Sequence, residues 1–410
     1  MTRTRVAITG LGVKTPAGCD LGTFWETLLA GRSTAAPIRR IDPTPLPVRI
    51  GCEVTEFDPK TYFDSKEARR TDRVAQLAFG AAADALADAG DLGADPARCG
   101  VVAAAGVGGL ITQEEQEYNL FSRGPNRVSP MLVPMMMPNA AAALVGLKLG
   151  WTGPNFCIAT ACAGGSHAIG EAGRLIREGS ADVVLAGGSE SCITPVAVSA
   201  FARMGALSNR NDEPTLASRP FDADRDGFVM GEGAGFLVLE SWDRAVARGA
   251  HIYGEVAGYG RNSDAYHVTA PAPGGAGAAH CMRLALADAG LEPSEIGHVN
   301  AHGTSTELND AAEAEAVVKV FGEHSLPVWS AKGSIGHLIA AAGAVEAVAA
   351  MLSIRDELVP PTTNHERAEP ELAIDVVAGE PRKLAAAPVV SNSFGFGGHN
   401  ASLVLKPSSE

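Results

Sequence analysis

The sequence is poor in aromatic residues and in basic charge, and both shortages limit what the protein can bind. Aromatic residues make up 5% of the 410 positions, so we do not expect stacking platforms for nucleic-acid bases. Lys and Arg number 33 against 47 Asp and Glu, which gives a formal net charge of −14. Because binding to polyanions depends on cations that displace counterions, nucleic acid is not expected as a partner.

Long apolar runs are also missing, and no leader segment is expected. No stretch of 18 apolar residues occurs, and residues 1–5 lead directly into a predicted strand. We therefore expect a cytoplasmic protein that does not associate with membranes.

Metal and nucleotide motifs are incomplete. The acidic run at residues 222–227 has Gly233 where a calcium loop needs its twelfth-position glutamate, and Thr15 stands where a dinucleotide-binding motif starting at Gly10 needs glycine. The seven cysteines show no CxxC spacing, so neither a disulfide framework nor a zinc site is expected. Apart from Cys162, we interpret them as small buried hydrophobic residues: Cys19, Cys52, Cys99, Cys157, Cys192 and Cys281.

A repeated segment predicts that the chain consists of two related halves. Residues 85–90 read Ala-Leu-Ala-Asp-Ala-Gly, and the same six residues recur at 285–290. Apolar residues at helical spacing predict a helix over residues 73–90, ending at Gly90. Apolar strands alternate with helical patterns in both halves, which indicates an α/β architecture. We place the halves at residues 1–254 and 255–410.

The most informative residue is Cys162, which stands where an extended apolar stretch passes into a predicted helix. The unpaired N–H groups of a helix's first turn favour an anion and lower the pKa of a thiol from about 8.5. The pattern therefore predicts a nucleophilic cysteine.

Three further segments carry residues that could act with this thiol. They contain His302 in residues 299–306, Lys332 and His337 in residues 330–337, and a glycine-rich loop with Phe394 and Phe396 in residues 392–400. In this order and spacing, the four motifs resemble those of the β-ketoacyl-acyl-carrier-protein synthases, and within them the elongating condensing enzymes. The resemblance covers nearly the whole chain. It implies a thiolase-like fold, a duplicated α-β-α-β-α layered arrangement that periodicity alone does not show.

The resemblance also implies an activity. Such acyltransferases carry out the decarboxylative condensation of malonyl-ACP with an enzyme-bound acyl thioester, which gives 3-oxoacyl-ACP in fatty acid elongation. Cys162 matches the nucleophile, while His302 and His337 match the pair that stabilises the enolate as neutral hydrogen-bond donors. Lys332 is expected to support the histidines, with Glu346 as its buried counter-charge. No cofactor is expected, because the substrates arrive on the 4′-phosphopantetheine of the acyl carrier protein.

The remaining assignments concern the substrate path and the partners. The backbone N–H of Phe396 matches an oxyanion-hole donor together with that of Cys162, and the Phe396 side chain matches a gate. Residues matching the acyl tunnel and the pantetheine contacts are Phe201, Val107, Thr304, Thr306 and Phe394. A basic group on this acidic chain matches the surface that docks the carrier protein: Lys66, Arg69, Arg70 and Arg127. The methionines at 135–137 are read as core packing or as part of a dimer interface, and both interpretations bury them.

Three alternatives stay open at this point. The same chemistry could serve a type II polyketide or polyene pathway, and the protein could form a homodimer or a heterodimer with a related subunit. A non-catalytic partner subunit of a dimeric synthase is a further alternative, although such subunits lack the nucleophile. Acyl chain length and saturation are not predicted.

Overall fold

The chain forms one mixed β-sheet of eleven strands with helices packed on it, as seen in a computed structural model that describes residues 3–408. Across the sheet the strand order is β12-β10-β9-β14-β15-β8-β1-β7-β6-β4-β5, and two small two-stranded sheets lie outside it. The strands are β1 (Val6–Lys14), β2 (Ala36–Pro37), β3 (Ile50–Gly51), β4 (Cys99–Ala104), β5 (Asn155–Ile158), β6 (Val183–Glu190), β7 (Gly233–Ser241), β8 (Gly254–Ser263), β9 (His298–Asn300), β10 (Pro327–Trp329), β11 (Leu358–Val359), β12 (Asp375–Val376), β13 (Arg382–Lys383), β14 (Val389–Gly395) and β15 (His399–Pro407).

Helices of the α type are distributed through the whole described chain. They are α1 (Leu21–Leu29), α2 (Ser65–Ala68), α3 (Arg73–Ala89), α4 (Leu110–Arg123), α5 (Leu132–Met136), α6 (Ala140–Leu149), α7 (Gly164–Arg177), α8 (Pro195–Arg203), α9 (Trp242–Ala247), α10 (Ala276–Ala289), α11 (Glu307–Phe321), α12 (Lys332–Ile335) and α13 (Ala342–Asp356). None within residues 3–408 is long and apolar enough to cross a membrane.

The helices separate into outer and inner layers. α3 packs on β1, β6 and β7, and α10 packs on β8, β14 and β15, so each covers the outside of one half. α7 and α13 pack on each other and contact strands of both halves. Residues 342–354 of α13 are buried on every side, which explains why small residues predominate there. The one sheet therefore contributes a β layer on each side of α7 and α13, with α3 and α10 outside, and this α-β-α-β-α arrangement confirms the predicted thiolase-like α/β fold.

The internal repeat corresponds to the same helix-on-strand contact made twice. The N–H of Leu11 on β1 donates to Asp88 at 2.9 Å, and the N–H of Tyr259 on β8 donates to Asp288 at 2.9 Å. A Cβ placed at Gly10 would lie 2.2 Å from the carbonyl oxygen of Ala85, and one at Gly258 would lie 2.2 Å from that of Ala285. The glycines of the Gly-Leu-Gly and Gly-Tyr-Gly segments therefore permit close helix packing.

The two halves join where β1 pairs with β8. β8 begins at residue 254, so the predicted boundary between residues 254 and 255 falls at its first residue. The division itself stays a prediction.

The prediction that six cysteines are buried is wrong for two of them. Cys19 and Cys157 are partly exposed, because the first lies in the loop before α1 and the second on the outermost strand, β5. The other four are buried, and all seven thiols are free.

Candidate active site

Cys162 lies in a short 3₁₀ turn, Ala161–Ala163, between β5 and the first residue of α7. This is the strand-to-helix junction expected from the sequence. The preceding residue, Ala161, has φ of 47°, a left-handed conformation that alanine rarely adopts. The thiol lines a cavity, although the residue is only 7% exposed.

The thiol is not the anion that the sequence predicts. Burial raises the pKa of Cys162 to about 11, and this effect outweighs the backbone N–H of Phe396 and the charge of Lys332, which both lower it. The position before α7 is therefore not sufficient to ionise the thiol. Its proton has to leave during the attack on a substrate.

Two imidazoles lie beside the thiol. His302 follows β9 and His337 follows α12, and both are buried. Their ring centres are 5.4 Å apart, with the rings nearly perpendicular at 84°. One nitrogen of each ring and the Cys162 Sγ all lie within 4.8 Å of one another. The fold thus brings together the three residues that the sequence singled out for chemistry.

Hydrogen bonds at Nδ1 determine which nitrogen of each ring can donate. The Nδ1 of His337 accepts the N–H of Ile339 at 3.2 Å, and the Lys332 Nζ lies 3.4 Å from the Nδ1 of His302. Burial, and then the charge of Lys332, holds the pKa of both imidazoles well below the usual range. Both rings are therefore neutral with the proton on Nε2, which can donate to a developing negative charge.

Lys332 is almost fully buried behind the histidines. Its ammonium donates to the backbone oxygen of His302 at 2.6 Å and forms an ion pair with Glu346 of α13. Burial raises the pKa of Glu346, although the neighbouring Lys332 opposes this. The pair expected from the sequence is present, and Glu346 lies behind Lys332 instead of lining the cavity.

Two buried carboxylates on α11 hold the backbone around His302, and neither was predicted from the sequence. Glu313 accepts the N–H of His302 at 2.8 Å, and Asp310 accepts that of Thr304 at 2.9 Å. Burial raises the pKa of Glu313 to about 7. The signal available in the sequence was two acidic residues three positions apart on the helix that follows the His302 motif.

The glycine-rich loop brings a second backbone donor to the thiol. The N–H groups of Phe396 and of Cys162 itself both interact with the Cys162 sulfur. A Cβ at Gly395 would lie 3.1 Å from the backbone nitrogen of Cys162, so glycine allows this close approach. Two convergent N–H groups are the geometry of an oxyanion hole for a carbonyl bound to this sulfur.

A cavity of about 550 Å³ surrounds these groups and opens to solvent. The ring of Phe396 lies 6.5 Å from that of Phe201, and the hydroxyls of Thr304 and Thr306 are 2.9 Å apart. The five predicted substrate contacts all line it, namely Phe201, Val107, Thr304, Thr306 and Phe394.

The basic group predicted to dock a carrier protein lies outside the cavity. Lys66 is on α2, Arg69 and Arg70 follow it directly, and Arg127 ends a short 3₁₀ turn. All four side chains are exposed. No carboxylate pairs with any of them in the part of the chain that is described, so their charge faces solvent.

The methionine segment is not buried within one chain. Met135 and Met136 are partly exposed and Met137 is 38% exposed, so the core-packing interpretation is wrong. These side chains stand on α5 and the turn after it, next to α6 and near the edge strand β5.

Cys162, His302 and His337 are also the one cluster between residues 3 and 408 whose spacing could hold a metal ion. A sulfur and two neutral imidazole nitrogens are donors that zinc accepts. The same atoms face the substrate cavity, and the absence of a resident metal stays a prediction.

Comparison with known proteins agrees with this geometry. Residues 3–245 match the family model described as "Beta-ketoacyl synthase, N-terminal domain", and residues 253–366 match "Beta-ketoacyl synthase, C-terminal domain". A "3-oxoacyl-[acyl-carrier-protein] synthase 2" of Synechocystis sp. is 47% identical, covering 99% of each chain. The protein of the same name from Staphylococcus aureus is 46% identical, covering 98% of each.

Solved structures show the same likeness. A β-ketoacyl synthase from Burkholderia phymatum superposes with a TM-score of 0.92 at 37% identity, covering 99% of this chain and all of the other. A ketosynthase/chain length factor for ishigamide superposes with a TM-score of 0.93 at 35% identity over the full length of both chains. With two family models matched over most of its length and relatives this similar, the chain belongs to the β-ketoacyl synthase family.

Proposed function

We propose that this protein is an elongating condensing enzyme, which joins an enzyme-bound acyl group to malonyl-ACP and releases CO₂ and 3-oxoacyl-ACP. The observation that carries this proposal is the meeting of one thiol and two neutral imidazoles in a single cavity. The relatives named 3-oxoacyl-ACP synthase 2 support the fatty acid branch.

In the first stage the Cys162 sulfur attacks the acyl thioester. The tetrahedral oxygen accepts from the N–H groups of Cys162 and Phe396. As the intermediate collapses, the carbonyl re-forms and the bond to the pantetheine sulfur breaks. Because both histidines already carry a proton on Nε2, the thiol proton passes to the departing pantetheine sulfur.

In the second stage malonyl-ACP loses CO₂. The electron pair left by the broken C–C bond delocalises onto the thioester oxygen, which accepts from the Nε2–H groups of His302 and His337. The resulting carbanion attacks the acyl carbonyl on Cys162, a C–C bond forms and the thiolate leaves. The thiolate then takes a proton from solvent, because its pKa of about 11 favours the neutral thiol at pH 7.

The direct test is incubation with malonyl-ACP and a panel of acyl-ACPs, with product masses read by mass spectrometry. Products two carbons longer than each acyl group, together with released CO₂, are expected. Malonyl-ACP consumption without any longer product would contradict the proposal.

Docking of the carrier protein is proposed at Lys66, Arg69, Arg70 and Arg127. Their exposure and free charge support this, because acyl carrier proteins are acidic and surface charge steers such partners. A solved type II polyketide ketosynthase with its carrier protein bound is similar in fold, at a TM-score of 0.92 and 32% identity.

Reversing the charge at Lys66, Arg69 and Arg70 together should raise the KM for acyl-ACP by about tenfold or more while leaving the KM for acyl-pantetheine nearly unchanged. Acyl-pantetheine contacts only the cavity, whereas the carrier protein also contacts the basic residues Lys66, Arg69 and Arg70. Added salt should also raise the KM of the unmutated enzyme for acyl-ACP, because it screens surface charges. Lys383→Glu, on an exposed lysine of β13, is the control. Equal losses with carrier and mimic would refute the docking assignment.

A dimer is proposed across the β5 edge of the sheet. β5 pairs only with β4 in the described chain, so its other edge is unpaired, and an unpaired edge invites a further strand. Exposed apolar side chains lie near it on β5, on α6, which contacts both β5 and α5, and on α5 and the residue after it: Val133, Met137, Leu147 and Phe156. Sedimentation should give twice the chain mass of 42.1 kDa. Phe156→Glu should yield monomer, and a monomeric unmutated protein would refute the proposal.

A polyketide pathway is the second candidate function, favoured by the likeness to the ishigamide and type II polyketide ketosynthases. The acyl-ACP panel separates the two, because repeated extension without reduction indicates a polyketide. The cavity with its cysteine argues against a non-catalytic subunit, which would lack the nucleophile.

A further inference from the structure

Beneath the acyl pocket lies a buried carboxylate that the mechanism above does not use. Glu190 ends β6 and has no exposed surface. It accepts the N–H of Gly106 at 2.7 Å and lies 3.5 Å from that of Val107, both of which line the cavity. The N–H of Ala340 interacts with the same carboxylate.

These contacts join two parts of the site. Val107 is a wall of the acyl pocket, and Ala340 follows Ile339, whose N–H binds His337. A Cβ at Gly106 would lie 2.5 Å from the Glu190 Oε2 and 3.3 Å from Ile339. The carboxylate, the backbone at Gly106 and the segment after His337 are therefore closely packed, whereas the Val107 side chain projects from this wall and is 46% exposed.

We propose that Glu190 is a positioning residue that fixes the depth of the acyl pocket by anchoring the wall at Gly106 and Val107 to the segment after His337. The inference rests on the proposed function and deepens it, because it names what sets the preferred acyl length. Glu190 contacts no reacting atom, and it acts by holding the backbone of Gly106 and Val107 in place.

The electrostatic surroundings make this anchor sensitive to pH. No cation pairs with Glu190 within residues 3–408, and the titratable groups facing it are Asp72, before α3, and the thiols of Cys157, Cys162 and Cys192. Burial raises the pKa of Glu190 to about 7. Above that pH the charged carboxylate holds the three N–H groups strongly, and below it the neutral acid holds them weakly. The wall should therefore loosen as pH falls through 7.

The test measures the ratio of kcat/KM for palmitoyl-ACP to that for octanoyl-ACP between pH 6 and 8. In the unmutated enzyme the ratio should fall as pH rises, because the tighter wall excludes the longer chain. Glu190→Gln should raise the ratio about fivefold at pH 8 and remove its pH dependence. Glu190→Asp, which keeps the charge but shortens the reach, should raise the ratio and keep the pH dependence.

Glu313→Gln is the matched control, since Glu313 is also buried with a pKa of about 7 but holds His302. Glu313→Gln should slow decarboxylation and leave the ratio of kcat/KM for palmitoyl-ACP to that for octanoyl-ACP unchanged. Val107→Ala should raise the ratio without removing its pH dependence.

Hydrogen exchange of residues 106–109 gives a readout that does not depend on the proposed function. Glu190→Gln should speed this exchange about tenfold, because the Gly106 N–H loses a charged acceptor. An unchanged length ratio and unchanged exchange would overturn the inference. Fast exchange in an enzyme that forms no acyl adduct would preserve the anchor and refute the condensing activity instead.

Discussion

Cys162→Ala should reduce condensation by at least about 10⁴-fold and leave no acyl adduct on the protein, because the alanine offers no atom to carry the acyl group. The protein should remain folded, since replacing one buried thiol by hydrogen costs about 1 kcal/mol. Mass spectrometry after incubation with acyl-ACP measures the adduct, and thermal unfolding measures the stability.

Cys281→Ala is the matched control, because Cys281 is an equally buried thiol outside the cavity. It should acylate at the unmutated rate. An adduct that persists in Cys162→Ala would assign the nucleophile elsewhere and remove the basis of the mechanism.

His302→Ala and His337→Ala should each slow malonyl-ACP decarboxylation by about 100-fold or more. Each change removes one Nε2–H donor from the enolate oxygen at the moment when charge develops there. The measurement is best made on Cys162→Gln, whose neutral amide fills the acyl-enzyme space and uncouples decarboxylation from condensation. CO₂ release then reports on the histidines alone.

His298→Ala serves as the control for burial. His298 is a buried imidazole on β9 whose pKa burial lowers to about 3, and it lies outside the cavity lining. Its loss should cost stability without slowing CO₂ release per folded enzyme. If all three histidine variants slowed equally, the enolate role would be refuted in favour of a general packing effect.

The pH dependence of decarboxylation follows from the same groups. Both imidazoles keep their pKa well below the usual range, so neither gains a proton as pH falls from 8 to 6. Glu313, with a pKa of about 7, does gain one in that range and then holds the His302 backbone less strongly. CO₂ release by Cys162→Gln should therefore fall modestly as pH drops through 7, and Glu313→Gln should remove this change.

The sequence predicted the parts of the fold that local patterns encode. The helix at residues 73–90 is α3 with Gly90 at its C-terminus, and the exact repeat at 285–290 closes α10 in the same way. Neither the hydrophobic periodicity nor the repeated segment shows which helices contact strands of both halves. That α7 and α13 form the central layer depends on tertiary packing, which no local spacing specifies.

For the site, the residue identities and the neutral state of both imidazoles were predictable from the resemblance, whereas the protonation state of the Cys162 thiol was not. The four motifs named the thiol, both imidazoles and the Lys332–Glu346 pair, which the fold brings together. The position of Cys162 before α7 predicts a lowered thiol pKa, but the pKa is raised, because burial has a larger effect than the few nearby N–H groups. Asp310, Glu313 and Glu190 were missed because acidic residues on helices and strand ends usually face solvent, and only the fold shows that these accept buried N–H groups.

The continuous sheet has a consequence for how substrates enter. Cys162 comes from one half and His302 and His337 from the other, yet β1 and β8 are hydrogen-bonded neighbours, with Ala7 opposite Glu255 and Ile8 opposite Gly254, and α7 packs on α13. A hinge between the halves would have to break these strand pairs and pull α7 from α13. Because a rotation of the halves would cost these contacts, we expect passage to the buried thiol to be local, by a swing of the Phe396 ring against Phe201 on a loop where Gly397 and Gly398 adopt φ of 84° and 74°.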